Sequence, residues 1–136
     1  MSNKLTTSME REQAFILLFE KSFNEEVDAE KIIDLALECE AVEGTDYTLK
    51  LFTETCNKQP VIDEFISKYS TGRAINRISR VSLAILRMTV CEIRYFEKVP
   101  TAVSINEAVE LCKKYASEDE YQFVNGVLGA YAREEA

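Results

Sequence analysis

Apolar residues recur at helical spacing along almost the whole chain, and the alternation of a half-buried strand is rare. The first predicted helix runs from about Met9 to Phe23. Phe15, Leu18, Phe19 and Phe23 fall on one face, and Thr7 with Glu10 fits a capping box. A second helix starts from Asp28 as N-cap and carries Ile32, Leu35, Ala36 and Cys39 at i, i+3, i+4 and i+7. Gly44 interrupts, and Thr45 or Asp46 caps a third helix bearing Leu49, Phe52 and Cys56. Pro60 suits the first position of a fourth, whose stripe is Ile62, Phe65, Ile66 and Tyr69.

Gly72 breaks the pattern again, and a short helical turn around Ala74 to Ile78 leads into a long helix from about Arg80 to Glu97. Ile78, Val81, Ile85 and Met88 make one stripe there, and Leu86, Val90 and Ile93 make another. A helix apolar on nearly all sides is one surrounded by others, so this is the expected hub. Pro100 marks its stop. Ser104-Ile-Asn-Glu107 and Ser117-Glu-Asp-Glu120 both read as capping boxes. The helices they open carry Ile105, Ala108, Val109 and Cys112, then Val124, Val127, Leu128 and Tyr131. No repeat, low-complexity run or linker intervenes. Residues 1–136 are expected to form a single-domain, all-α bundle of about seven helices.

Composition narrows the chemistry. With 136 residues, 46% of them apolar, the chain can bury a core without disulfide staples. Histidine is absent, which removes Ser-His-Asp and Cys-His catalysis and every His-ligated metal site. Cys39, Cys56, Cys91 and Cys112 form no C-x-x-C, and each falls on an apolar helical phase, so buried structural thiols are expected. No metal or cofactor is anticipated. The first nine residues lack an apolar signal core, and no apolar run is long enough to span a bilayer, so a cytoplasmic location is expected.

The net charge of −8 argues against RNA or DNA binding driven by bulk charge. It is unevenly spread. Residues 1–70 hold 7 basic and 15 acidic side chains, whereas 71–136 hold 9 of each. From Arg73 to Lys98 there are six basic residues against two acidic. Arg73, Arg77, Arg80, Arg87 and Arg94 would lie within one arc of a continuous helix, pairing with acids of the front helices. Arg87 sits inside the hub, with Glu92, Glu107 and Glu110 as candidate partners.

Other candidate motifs are bland. Gly126 and Gly129 lie within a helix, where they would admit a close neighbour rather than cradle phosphate. The carboxylate pairs Glu107/Glu110 and Asp34/Glu38 read as solvated helix faces. At the start of the last helix, Glu118, Asp119 and Glu120 complement the helix dipole. Tyr121, Gln122 and Asn125 lie on the face opposite the apolar stripe, where an aromatic could stack on a base and amides could read base edges.

Three blocks are recognisable. Val81-Ser-Leu-Ala-Ile-Leu-Arg-Met-Thr-Val-Cys-Glu-Ile-Arg-Tyr-Phe96 resembles the hub helix of the NusB family. The run from Val99 to Tyr115 resembles that family's P-x-x-V-x-I-N-E-A-V-E-L-A-K-K segment, and Phe123-Val-Asn-Gly-Val-Leu128 its F-V-N-G-V-L signature. Arg11-Glu-Gln-Ala-Phe-Ile-Leu-Leu-Phe is similar to its first helix. The resemblance implies a non-enzymatic transcription antitermination factor that binds boxA RNA of ribosomal RNA leader transcripts. It would do so with the ribosomal protein NusE and act on the RNA polymerase elongation complex. Methyltransferases with the same helical domain need a catalytic domain for which 136 residues leave no room.

By position, the resemblance implies RNA contacts at Lys4, Arg11, Asp119, Gln122 and Phe123, and partner contacts at Phe19, Ser82 and Glu92. The family's run of N-terminal arginines is missing: Lys4 and Arg11 face Glu10, Glu12 and Glu20. Each lost phosphate contact removes part of the counterion-release gain, so RNA binding should depend on NusE. An acidic body also suits a basic ribosomal-protein partner. The alternative is a helical protein-interaction module that has weak or lost RNA binding; homodimerisation of the free chain stays open.

Overall fold

The computed structural model describes residues 5–136. Lys4, implied above as an RNA contact, lies outside them. Seven α-helices and one 3-10 turn occur among the described residues: α1 (Thr7–Ser22), α2 (Ala29–Glu38), α3 (Asp46–Asn57), α4 (Gln59–Tyr69), the turn Ile75–Arg77, α5 (Arg80–Tyr95), α6 (Thr101–Tyr115) and α7 (Glu118–Glu135). The fold is all-α, as the apolar spacing anticipates.

Helix α5 is the hub. It packs against α1, α3, α4, α6 and α7, and its Ile85, Leu86, Val90 and Cys91 are almost wholly buried. The two apolar stripes are therefore two sides of one core: Leu17, Leu51, Phe52, Ile62, Ile66, Val124 and Leu128 complete it from the surrounding helices. No described helix is long and apolar enough to cross a membrane.

Several local expectations shift. Thr6, not Thr7, caps α1, accepting from the Met9 N–H, while the Glu10 carboxylate accepts from the Thr45 hydroxyl instead of closing a box. Pro60 sits one residue into α4, because the helix begins at Gln59. The Ser117–Glu120 box does cap α7. The Ser104–Glu107 box does not form: Thr101 already opens α6 one turn earlier, and Ser104 is buried inside it. In α3 the buried face runs through Thr48, Leu51, Phe52 and Thr55, with Leu49 and Cys56 at its margin. Gly126 faces open space, so it admits no close neighbour.

Helix α2 is the least embedded of the α-helices. Of its expected stripe only Ile32 is buried, and both Leu35 and Cys39 are exposed. It ends in a Schellman arrangement, the Ala41 N–H donating to Ala36 O at 2.9 Å and the Glu40 N–H to Leu37 O at 3.1 Å. That places Glu40 at φ 57°, where a side chain is strained. Gly44 is also left-handed (φ +71°), and an added Cβ would come within 2.7 Å of Leu37 Cδ2, so a side chain there strains the backbone and displaces the exposed Leu37 tip. Glu40→Gly should raise stability by about 0.5–1 kcal/mol, strain relief outweighing the added freedom of the unfolded chain. A lower urea midpoint for this variant would contradict that account.

Candidate nucleic-acid interface

The residues implied as RNA and partner contacts separate into an interior group and a surface group. Arg11 and Glu92 belong to the interior and are paired with each other. Arg11 is 4% exposed and Glu92 2% exposed. The Arg11 Nε donates to Glu92 Oε1 at 2.9 Å and Oε2 at 2.8 Å. Ser104 donates to Oε1 at 2.7 Å, and the Tyr47 hydroxyl donates to Oε2. Burial first, and the adjoining Glu92 carboxylate second, push the Tyr47 hydroxyl pKa up.

This cluster ties α1, α3, α5 and α6 to one carboxylate. Glu107 adds a looser link, 3.7 Å from Arg11 and accepting from Ser8 at 2.5 Å. The expectation that Arg11 meets RNA and Glu92 meets a protein partner is thus corrected: neither presents a free surface. The helical register makes the reason plain, because Arg11 shares the face of Ala14, Phe15 and Leu18, which faces the core. Ser82 is corrected likewise. It is 0% exposed, its N–H bonded to the capping Ser79.

Of the arginines, Arg87 does pair with an acid of the front half, as expected, but with a different one from the three candidates. Arg87 makes a two-pronged bond with Asp63 of α4, at 2.8 and 2.9 Å, and not with Glu92, Glu107 or Glu110. Arg80 bonds the Ser22 carbonyl at 2.5 Å and lies over the Phe23 ring. Arg73 turns to the back half, pairing with Glu120 at 2.7 Å. The 3-10 turn before Arg80 breaks the helix, so the five do not form one stripe.

The surface group centres on the junction of α1, α6 and α7. Asp119 and Gln122 are exposed in the first turns of α7, with Asn125 one turn on, while Tyr121 is half-buried. Phe123 is half-buried under the Arg73 guanidinium, 3.9 Å from its ring centroid. That cation covers one ring face. Asp119 cannot accept a phosphate, but it can accept a base amino group or a ribose hydroxyl. Phe19 sits beside Phe15 and Phe23 on α1, forming an aromatic row that reaches Tyr115 of α6.

Two residues the sequence reading passed over lie in the middle. Lys113 and Lys114 close α6, their side chains 57% and 61% exposed. Lys113 Nζ stands 5.8 Å from the Tyr121 ring centroid, and Lys114 bonds Glu12 of α1 at 2.5 Å. Their signal was the Lys-Lys pair of the second recognised block, read only as motif. Shallow grooves of about 390 and 280 Å³ flank Lys113, the first bounded by Ser8, Glu12 and Leu111, the second by Ser117 and Tyr121.

The junction is electrostatically mixed. Partial burial raises the Glu12 carboxyl, but bonds from Lys114 and Tyr115 and the Lys114 charge win and hold its pKa below the ordinary value. The Glu12 contacts are therefore intact above the ordinary carboxylate range and are lost as pH falls through the lowered pKa. With Glu118 and Asp119 nearby, the two lysines offer a modest phosphate ridge.

Residues 8–133 of the chain match the family model described as NusB family. The chain is 40% identical over 125 residues to the transcription antitermination protein NusB of Ruminiclostridium cellulolyticum, covering 90% of this chain and 86% of that one. Its fold resembles the solved structure of T. maritima NusB, with a TM-score of 0.88, 29% identity, and coverage of 98% of this chain and 95% of the other. It also resembles a chain in a crystal structure of antitermination factors NusB and NusE in complex with dsRNA. There the TM-score is 0.82 at 26% identity, over 93% of this chain and 96% of that one.

Proposed function

The chain belongs to the NusB family of transcription antitermination proteins, and from that premise we propose that it binds boxA RNA of ribosomal RNA leader transcripts together with NusE. The pair then loads onto the elongating RNA polymerase. The role is that of an adaptor, not of an enzyme, and residues 1–136 act as one domain. The observation that carries this reading is the likeness, over 93% of the chain, to a NusB solved with NusE and RNA.

Chemistry at the surface supports it and shapes it. RNA follows the junction of α1, α6 and α7, with Lys113 and Lys114 facing phosphates. Asp119, Gln122 and Asn125 read base or ribose groups, and Phe123 or Tyr121 supplies a stacking face. The Phe19 row is the partner-facing surface. Because Arg11 is consumed in the core, the isolated chain has few free cations at this edge, and a basic partner supplies the remainder.

The same burial of Arg11 favours a second reading, a protein-interaction module with weak or lost RNA binding. Titrating boxA RNA into the chain with and without NusE, at about 50 and 200 mM salt, separates the two. NusE should raise RNA affinity at least tenfold, and higher salt should weaken the ternary complex. Tight binding by the chain alone removes the need for NusE. Absence of binding with NusE present supports the second reading.

A further inference from the structure

The acidic excess is more concentrated than the two halves of the sequence suggest. Residues 25–46 hold nine carboxylates against Lys31 alone, a sum of −8 that equals the whole net charge, so the remainder of the chain is neutral. All nine acidic residues are exposed. Among the described residues none of their carboxylates joins an ion pair: every paired acid lies elsewhere in the chain.

An apolar groove of about 280 Å³ runs between α1 and α2 in the middle of this charge. Ile16, Leu17, Val27, Ile32, Leu35 and Cys39 line it, together with Glu20. Leu35 stays 44% exposed, as α2 gives only Ile32 to the core. The groove faces away from the junction described above: Glu12 and Phe15 turn toward α6, whereas Ile16 and Glu20 turn toward α2.

We infer that this groove docks a basic amphipathic helix of a second protein partner, distinct in place from the RNA-facing junction. An apolar ridge fills the groove, and lysines or arginines flanking it reach Glu30, Asp34 and Glu38 along α2. The walls are α1 and α2 with the short segments that flank α2, and no strand occurs among the described residues, so an extended peptide finds no strand edge to pair with; a helix brings its own bonds. The ten residues of α2 span about 15 Å, which matches roughly three turns of an incoming helix. A field this acidic repels nucleic acid and anionic lipid, which leaves a cationic protein segment as the occupant.

Cys39 provides a reporter. It lines the groove and is exposed, whereas Cys91 and Cys112 are buried and Cys56 is half-buried. Burial pushes the Cys56 and Cys91 thiols up to about 11 and Cys112 up to about 12, which keeps them unreactive near neutral pH.

The experiment uses the full chain and a cysteine-free Leu/Lys peptide of about 14 residues with leucines at i, i+3, i+4 and i+7. A scrambled peptide of equal composition is the control. The amphipathic peptide should slow Cys39 alkylation about fivefold or more and bind at least tenfold more tightly than the scrambled one. Leu35→Asp, at an exposed position, should weaken binding at least tenfold with the circular dichroism spectrum unchanged. Combined Glu30→Lys, Asp34→Lys and Glu38→Lys should do the same and flatten the salt dependence. Equal binding of the scrambled peptide, or unprotected Cys39, overturns the proposal. So does sedimentation showing a dimer that Leu35→Asp dissolves, since a second copy would then cover the groove.

Discussion

Arg11→Met should destabilise the fold by roughly 3–5 kcal/mol, because it strands Glu92 as an uncompensated charge in the interior. The Tyr47 and Ser104 hydroxyls remain on that carboxylate, but they are neutral donors and cannot balance it. For a chain of this size the loss corresponds to a fall in Tm on the order of 10–20 °C. Arg11→Lys should recover only part of it, since an ammonium cannot present the guanidinium's planar fork to the carboxylate. Replacing both members, Arg11→Met with Glu92→Met, should be markedly less damaging than either single change, as apolar side chains of similar volume often substitute for a buried pair. Thermal unfolding of the four variants checks this. An unchanged Tm for Arg11→Met, joined to a large loss of RNA affinity, would return Arg11 to the RNA surface.

The contrast between Arg11 and the hub explains what was legible in the sequence. Helix α5 could be placed because it is apolar on all but its arginine-bearing side, and burial among several neighbours is the arrangement that accommodates it. Helix ends set by local chemistry, such as Ser117 above Glu120, were equally readable. Ser104 above Glu107 has the same spacing and a different fate. That serine sits within a helix opened one turn earlier, and its hydroxyl bonds Glu92 on another helix instead of a backbone N–H. Arg11 shows the same limit more sharply: its partner lies 81 positions away, and a basic residue near an N-terminus looks identical whether it meets phosphate or a buried carboxylate. Arg87 with Asp63 repeats the point. Charge counted along the chain thus located the acidic half but not the groove within it, because apolar Leu35 and Cys39 looked like core until α2 proved to bury Ile32 alone.

If RNA follows the α6 ridge, the double reversal Lys113→Glu with Lys114→Glu should lower RNA affinity of the NusE complex about a hundredfold at low salt, and the log–log salt slope should flatten by roughly 1.5. Both side chains are mostly exposed, so the fold does not depend on them. They lie in the last turn of α6, where reversing the charge opposes the helix dipole and costs about 0.3–1 kcal/mol per residue, well within what the core can absorb. The Lys114 contact with Glu12 is a surface pair of small net value, and a phosphate can displace that carboxylate. Since lysine reads charge rather than sequence, discrimination between boxA and a scrambled RNA should persist while overall affinity falls. Gln122→Ala should show the opposite pattern, a smaller loss concentrated on boxA, because Gln122 is exposed and an amide can hydrogen-bond a base edge. Lys68→Glu, on α4 and paired with Glu135, serves as the charge control and should leave affinity nearly unchanged. An unaltered salt slope after the double reversal would place RNA elsewhere or nowhere on this protein, and the burial of Arg11 would then mark a family member that works through protein contacts alone.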